Sequence, residues 1–153
     1  VWPGLSFGLQ ALLFVGVFAL GLGWTVQGSL PMLLAGLLAL VVAQLALGVL
    51  LIGATLALRN ALSAAAFVTA PAFAFAGQGF PLQSMPALAR AWAEALPLTH
   101  YLQLQSRHWL AGAPASTSVD DLLVLLAMAV GMGALGLGLL QYRAHRPQAW
   151  GRT

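Results

Sequence analysis

Four long apolar runs, separated by short polar breaks, set the pattern of this chain. Crossing about 30 Å of hydrocarbon at about 1.5 Å per residue takes roughly 20 apolar residues in a helix. Runs of that order cover residues 5–24, 30–58, 61–77 and 122–142. Each predicts a membrane-spanning helix. Ser29 precedes the second run as an N-cap, with Pro31 in the first turn, where a missing N–H leaves no bond unmade. Ser118 and Asp121 have capping-box spacing ahead of the fourth run. The first two runs are joined by a polar turn from Thr25 to Ser29, and the second and third meet at Arg59-Asn60. Such short connections predict antiparallel neighbours.

Between the third and fourth runs lies a different pattern, residues 78–118. Ser84 to Leu96 reads as a short helix with Leu88, Trp92 and Leu96 on one face and an Arg90–Glu94 pair on the other. Pro97 interrupts it. Thr99 is then placed to cap a second helix running to about Leu110, stopped by Gly112 and Pro114. Neither helix is long enough to span, and Trp92, Tyr101 and Trp109 suit a membrane interface. Pro81, Pro86 and Pro97 fix φ and push Phe80, Met85 and Leu96 out of the helical region. The segment is expected to form a rigid helical hairpin at the outer membrane face. The expected fold class is therefore all-α: a polytopic membrane helix bundle with four transmembrane helices and a short amphipathic hairpin between the third and fourth, all in one domain over residues 1–153.

Composition sharpens this picture. Of 153 residues, 61% are apolar and only 6% charged, against about 25% charged in soluble domains. So few charges cannot cover a water-facing surface, and lipid is the expected solvent. All the basic residues are Arg, and they are scattered rather than clustered, so no nucleic-acid partner is expected. With four spans, Arg59, Arg143, Arg146 and Arg152 share one side, with Arg90 and Arg107 opposite. The positive-inside rule then puts both ends in the cytoplasm. The absence of Cys excludes disulfides. The chain opens on Val1 and enters an apolar stretch almost at once, so an upstream part is expected.

The third run, ALSAAAFVTAPAFAFAGQGF, is rich in small residues, which let helix backbones approach closely. Pro71 should free a carbonyl there, with Thr69 as a nearby donor. The fourth run has its own small stripe: Ala127, Gly131, Ala134 and Gly138. Two readings stay open for these small faces, packing alone or packing around a pathway. Gln10 and Gln44 are expected to form interhelical hydrogen bonds, with a substrate contact as the alternative. No charged side chain lies within a span, which argues against an ion-coupled transporter. His100 and His108 share a helix face but lack the further ligands of a metal site. Arg107 either meets an anionic lipid or substrate or snorkels to water. There is no HExxH motif and no P-loop. A nucleophile elbow and a Ser-His-acid triad are not expected either. No catalytic residue, metal or cofactor is therefore expected.

The run Gly79-Phe80-Pro81-Leu82-Gln83-Ser84-Met85-Pro86 is followed by Leu96-Pro97-Leu98-Thr99-His100-Tyr101-Leu102. This pair resembles the signature of type-2 ABC exporter permeases, a G-F-P-x-x-x-M-P segment and then P-L-T-H/Y, set between the fifth and sixth family helices. Ala54 to Asn60 is similar to the stretch that ends the fourth family helix, and Arg107 to Gly112 resembles the R-x-x-x-x-G closure.

The resemblance implies family helices three to six, with helices one and two and the ATPase-docking segment upstream. It implies an inner-membrane permease subunit that forms a homo- or heterodimer with a second permease subunit. An ABC ATPase subunit would bind the ATP, and a periplasmic adaptor is an optional partner. Export would proceed by alternating access. Phe80, Pro81, Met85, Pro86, Pro97, Leu98 and Thr99 would form a lid or gate. Phe67, Thr69, Pro71 and Phe73 would line the pathway and favour an apolar or amphipathic cargo. The alternative reading is a non-transporting membrane scaffold or assembly subunit.

Overall fold

The computed structural model describes residues 2–21, 26–76 and 81–145, and among these the chain is helical with no strand. Helix α1, Trp2–Gly16, continues into a π-helical turn, Val17–Gly21. Helix α2 covers Leu30–Thr55 and α3 covers Leu58–Phe75. A 3-10 turn at Leu82–Ser84 leads to α4, Ala87–Glu94, and α5, Pro97–Trp109. A second 3-10 turn at Ala115–Ser118 opens α6, Val119–Ala144. Two stretches, Leu30–Thr55 and Ala115–Arg143, are long and apolar enough to cross a membrane.

Local chemistry sets the ends of α2. Ser29 is extended, and its hydroxyl accepts the Met32 N–H at 3.4 Å, as an N-cap should. At the other end Leu56 takes a left-handed φ of 57°, and its N–H bonds to the Ile52 carbonyl at 2.8 Å. That residue ends the helix. The reversal therefore lies at Leu56-Ala57 rather than at Arg59-Asn60, and both latter residues stand exposed in the first turn of α3.

The most extensive pairing is between α2 and α6, which run parallel. Ala46 meets Gly133, and Gly53 meets Gly136. One turn beyond Leu140, Arg143 Nη1 donates to the Ala54 carbonyl at 2.7 Å, satisfying an orphan group at the end of α2. The buried face of α6 carries Leu125, Ala129 and Gly136. The expected small stripe of Ala127, Gly131, Ala134 and Gly138 faces away from the chain, and a Cβ on Gly131 or Gly138 would meet nothing within 4 Å.

The core gathers at the N-terminal ends of α2 and α6, where α5 crosses them. Leu33, Leu37, Ala39, Tyr101, Trp109 and Leu125 are buried together. From the π-helical turn that follows α1, Phe18 reaches this cluster and sets its ring edge-on to Trp109, with centroids 6.5 Å apart. Much of the remaining surface is apolar, including Leu5, Leu38, Phe67 and Val130. Gln10 is exposed and Gln44 half-buried, and neither has a hydrogen-bond partner among the described residues.

Candidate functional site

At the α5 end of the bundle the motif residues become walls. Pro86 precedes α4, and Pro97 is the first residue of α5, a position suited to a ring with fixed φ and no N–H. The cap lies at Leu96, three residues before the expected one at Thr99. Thr99 is fully buried, and its hydroxyl caps nothing. Arg90 does not pair with Glu94. Its Nε donates to the Leu82 carbonyl at 3.1 Å, and its Nη2 to those of Gln83 at 3.0 Å and Met85 at 3.4 Å. Charge-assisted bonds to the carbonyls of this turn outweigh an exposed i,i+4 pair, worth about 0.3–0.5 kcal/mol. The guanidinium thereby fixes the 82–85 turn.

Opposite that turn stands α5. His100 Nε2 lies 2.9 Å from the Glu94 carbonyl and ties α5 back to the end of α4. His108 is fully buried. Its backbone carbonyl accepts the Gly28 N–H at 2.9 Å, and its Nδ1 accepts the Ser29 N–H at 3.3 Å. The residue thus holds the turn that enters α2. A Cβ on Gly28 would lie 2.8 Å from His108 Nδ1 and 3.0 Å from both His108 Cα and the Ala113 carbonyl, so only glycine fits. An Nδ1 that accepts puts the neutral ring's proton on Nε2, which has no partner among the described residues. The two histidines do not converge, and no metal-binding group of His, Asp or Glu occurs among the described residues.

Arg107 bridges to α6. Its Nη1 donates to the Asp121 carboxylate and, at 3.1 Å, to the Thr117 carbonyl. Asp121 is therefore committed to Arg107 and does not serve a capping box, and the Ser118 hydroxyl is buried without a partner. Burial pushes the Tyr101 phenol up to about 12, so it stays neutral.

Between the two walls opens a cleft of about 400 Å³. Pro81, Leu82 and Gln83 line one side, and Gln103, Ser106 and Arg107 the other. Of the lid residues, Pro81 borders this cleft, Met85, Pro97 and Thr99 are buried, Pro86 is exposed and Leu98 half-buried. Phe80 lies outside the described residues. Of the expected anchors, Leu88 is 88% exposed and Trp92 40%, whereas Leu96 is buried.

The expected pathway residues sit elsewhere, in α3. Phe67 and Thr69 are exposed on a face that no other described element covers, and Pro71 is half-buried. The Phe73 side chain lies outside the described part. Thr69 donates to the Ala65 carbonyl at 2.8 Å, one helical turn back, rather than to the Phe67 carbonyl that Pro71 frees. The structure does not bring the lid and pathway sets together.

Sequence reasoning missed the cleft's Gln83, Gln103 and Ser106, since isolated amides and hydroxyls carry no spacing signal. It also passed over a GxSxG spacing at Gly4 to Gly8. Ser6 lies within α1, not on the strand-to-helix turn that exposes such a nucleophile, and α1 carries no His. No family model matches the chain, and no curated protein or solved structure proved significantly similar to it.

Proposed function

We propose that this chain belongs to the membrane-embedded permease subunit of an ATP-driven exporter of the type-2 ABC kind, with α1, α2, α3 and α6 as four spans and both ends in the cytoplasm. The observation that carries this reading is the pair α4–α5, bounded by Pro86 and Pro97 and inserted between α3 and α6. Its register fits the motif residues: Pro97 starts a helix, Met85 is buried, and the 82–85 turn is fixed by Arg90. The parallel course of α2 and α6 suits spans that both enter from the α5 end. Arg59 and Arg143 stand at the opposite end from Arg90 and Arg107, as the positive-inside rule requires of an α5 end outside the cell.

The mechanism follows from two subunits facing each other. An uncovered face of α3 bearing Phe67 and Thr69 would complete a pathway only against a second subunit. A separate ATPase subunit binds ATP, and its closure opens the α5 end, where α4 and α5 act as the lid. The deciding experiment reconstitutes the full-length permease in vesicles with and without its ATPase. ATP-dependent export only in the presence of both is expected. Full-rate export without ATP would remove the reading, and no export with both present would favour a scaffold subunit.

A further inference from the structure

We infer that the cleft between the 82–85 turn and α5 is a binding site for a phosphate group joined to an apolar body. The inference does not depend on the exporter reading, because it stands on the cleft alone. Three observations carry it.

The first is a guanidinium with capacity to spare. Arg107 is 42% exposed at its side chain and borders the cleft. Asp121 and the Thr117 carbonyl both engage Nη1. The N–H groups on Nε and Nη2 have no acceptor among the described residues. Asp121 is 8% exposed, so the carboxylate sits behind the guanidinium and fixes it rather than occupying the cleft. A guanidinium held on one side with donors left over is suited to an oxyanion.

The second is the spread of polar groups. Gln83 stands on one wall and Gln103 on the other, whereas the Ser106 hydroxyl donates its one proton to the Leu102 carbonyl at 2.8 Å. Donors on two walls suit an acceptor with oxygens in several directions. A tetrahedral phosphate has that shape, whereas a planar carboxylate presents only two oxygens in one plane. Arg90 holds the wall that carries Gln83, so the spacing is set before a ligand arrives.

The third is the apolar remainder. Ala76, Leu82 and Leu102 complete the lining, and Ala76 is where α3, with its exposed Phe75, reaches the cleft. A phosphate in the cleft would therefore have an apolar surface beside it for acyl chains or another hydrocarbon body. A volume of about 400 Å³ accommodates a headgroup but not two acyl chains, which would lie along α3.

The test uses purified full-length protein in a neutral detergent and measures binding by native mass spectrometry. The probes are dioleoylphosphatidylglycerol, glycerol 3-phosphate and dioleoylglycerol, which lacks phosphate. The expected result is that a phosphate-bearing probe binds at least about tenfold more tightly than dioleoylglycerol, the worth of one charge-assisted hydrogen bond. Binding of the phospholipid alone identifies a membrane headgroup as the source, and binding of glycerol 3-phosphate as well identifies a water-soluble phosphate. The double variant R107Q/D121N, which replaces the ion pair by neutral groups of similar shape, should lose that advantage. Q83A/Q103A leaves the ion pair intact and should weaken binding about fivefold. It decides the matter if the first variant does not fold. Equal binding of dioleoylglycerol and the phospholipid, or undiminished phospholipid binding in the deciding variant, overturns the inference.

Discussion

Replacing Gly136 with Ala sets one carbon against the backbone of α2. The new Cβ would lie 2.7 Å from Leu50 N, 2.8 Å from Leu50 Cα and 2.8 Å from Val49 C. All three atoms belong to the main chain of a regular helix, so no rotamer change relieves them. The two helices must separate by several tenths of an ångström. A radial gap of about 0.5–1 Å forfeits a quarter to a half of each van der Waals contact it opens. Gly53 faces the same crossing from α2, where a Cβ built on it would lie 2.7 Å from the Gly136 carbonyl, so the separation opens contacts on both helices. Overpacking of this kind costs about 1–3 kcal/mol, beyond the gain of up to about 1 kcal/mol from replacing a helical Gly by Ala. The controls are Gly131→Ala and Gly138→Ala on the same helix, where a Cβ meets nothing within 4 Å. They should be neutral or stabilising. The assay is thermal unfolding of the purified protein in detergent, followed by size-exclusion of a fluorescent fusion. A Gly136→Ala midpoint equal to that of Gly131→Ala would show that α2 and α6 do not cross here.

Gly28→Ala should destabilise the α1–α2 turn by about 1–3 kcal/mol, since two of its three close contacts are backbone atoms; a wild-type melting temperature would contradict the packing of that turn on His108. Alkaline stability should report on Tyr101, whose phenol is raised to about 12 by burial. The unfolded chain ionises near pH 10, so the stabilisation is complete below that pH and is lost as pH rises from 10 to 12, a loss of about 2–3 kcal/mol; Tyr101→Phe should flatten the curve, and an unchanged slope would rule out this residue as its source. Single cysteines at Gln27 and Ala115 should react with an impermeant reagent added outside the cell, whereas cysteines at Asn60 and Gln148 should not; outside labelling at Asn60 would reverse the proposed topology. Pro81→Ala with Pro86→Ala should lower export at matched membrane levels, and full export in that double variant would leave these residues as turn-formers only.

Features fixed by neighbouring residues were legible in the sequence. Ser29 capping α2 needs only a hydroxyl and the next turn, and Pro97 breaking the helix needs only its own ring. Features decided by competition were not. Arg90 had Glu94 one helical turn away, but three carbonyls of the 82–85 turn were better acceptors once the chain folded back. Asp121 had a capping role available locally and took Arg107 instead. On α6 small residues recur on more than one face, so periodicity alone marked Gly131 and Gly138, which are open, and missed Gly136, where α2 approaches. That face is defined by a helix far away in sequence. The cleft was hidden for the same reason, because Gln83 and Gln103 become neighbours only through the turn that Arg90 holds.

The parallel contact of α2 with α6 also sets an order for assembly. Roughly sixty residues separate the end of α2 from the start of α6, and at about 5–20 residues per second a ribosome needs roughly 3–12 s to supply them. Throughout that interval the glycine-bearing face of α2 has no partner, and the Ala54 carbonyl awaits an arginine not yet synthesised. Helices α3 to α5 must fold around a vacancy that α6 fills. Biogenesis therefore depends on something holding α2 in place meanwhile, whether the insertion machinery or the surrounding lipid. A chain that stops before α6 exposes its most closely packed surface and becomes a substrate for membrane quality control.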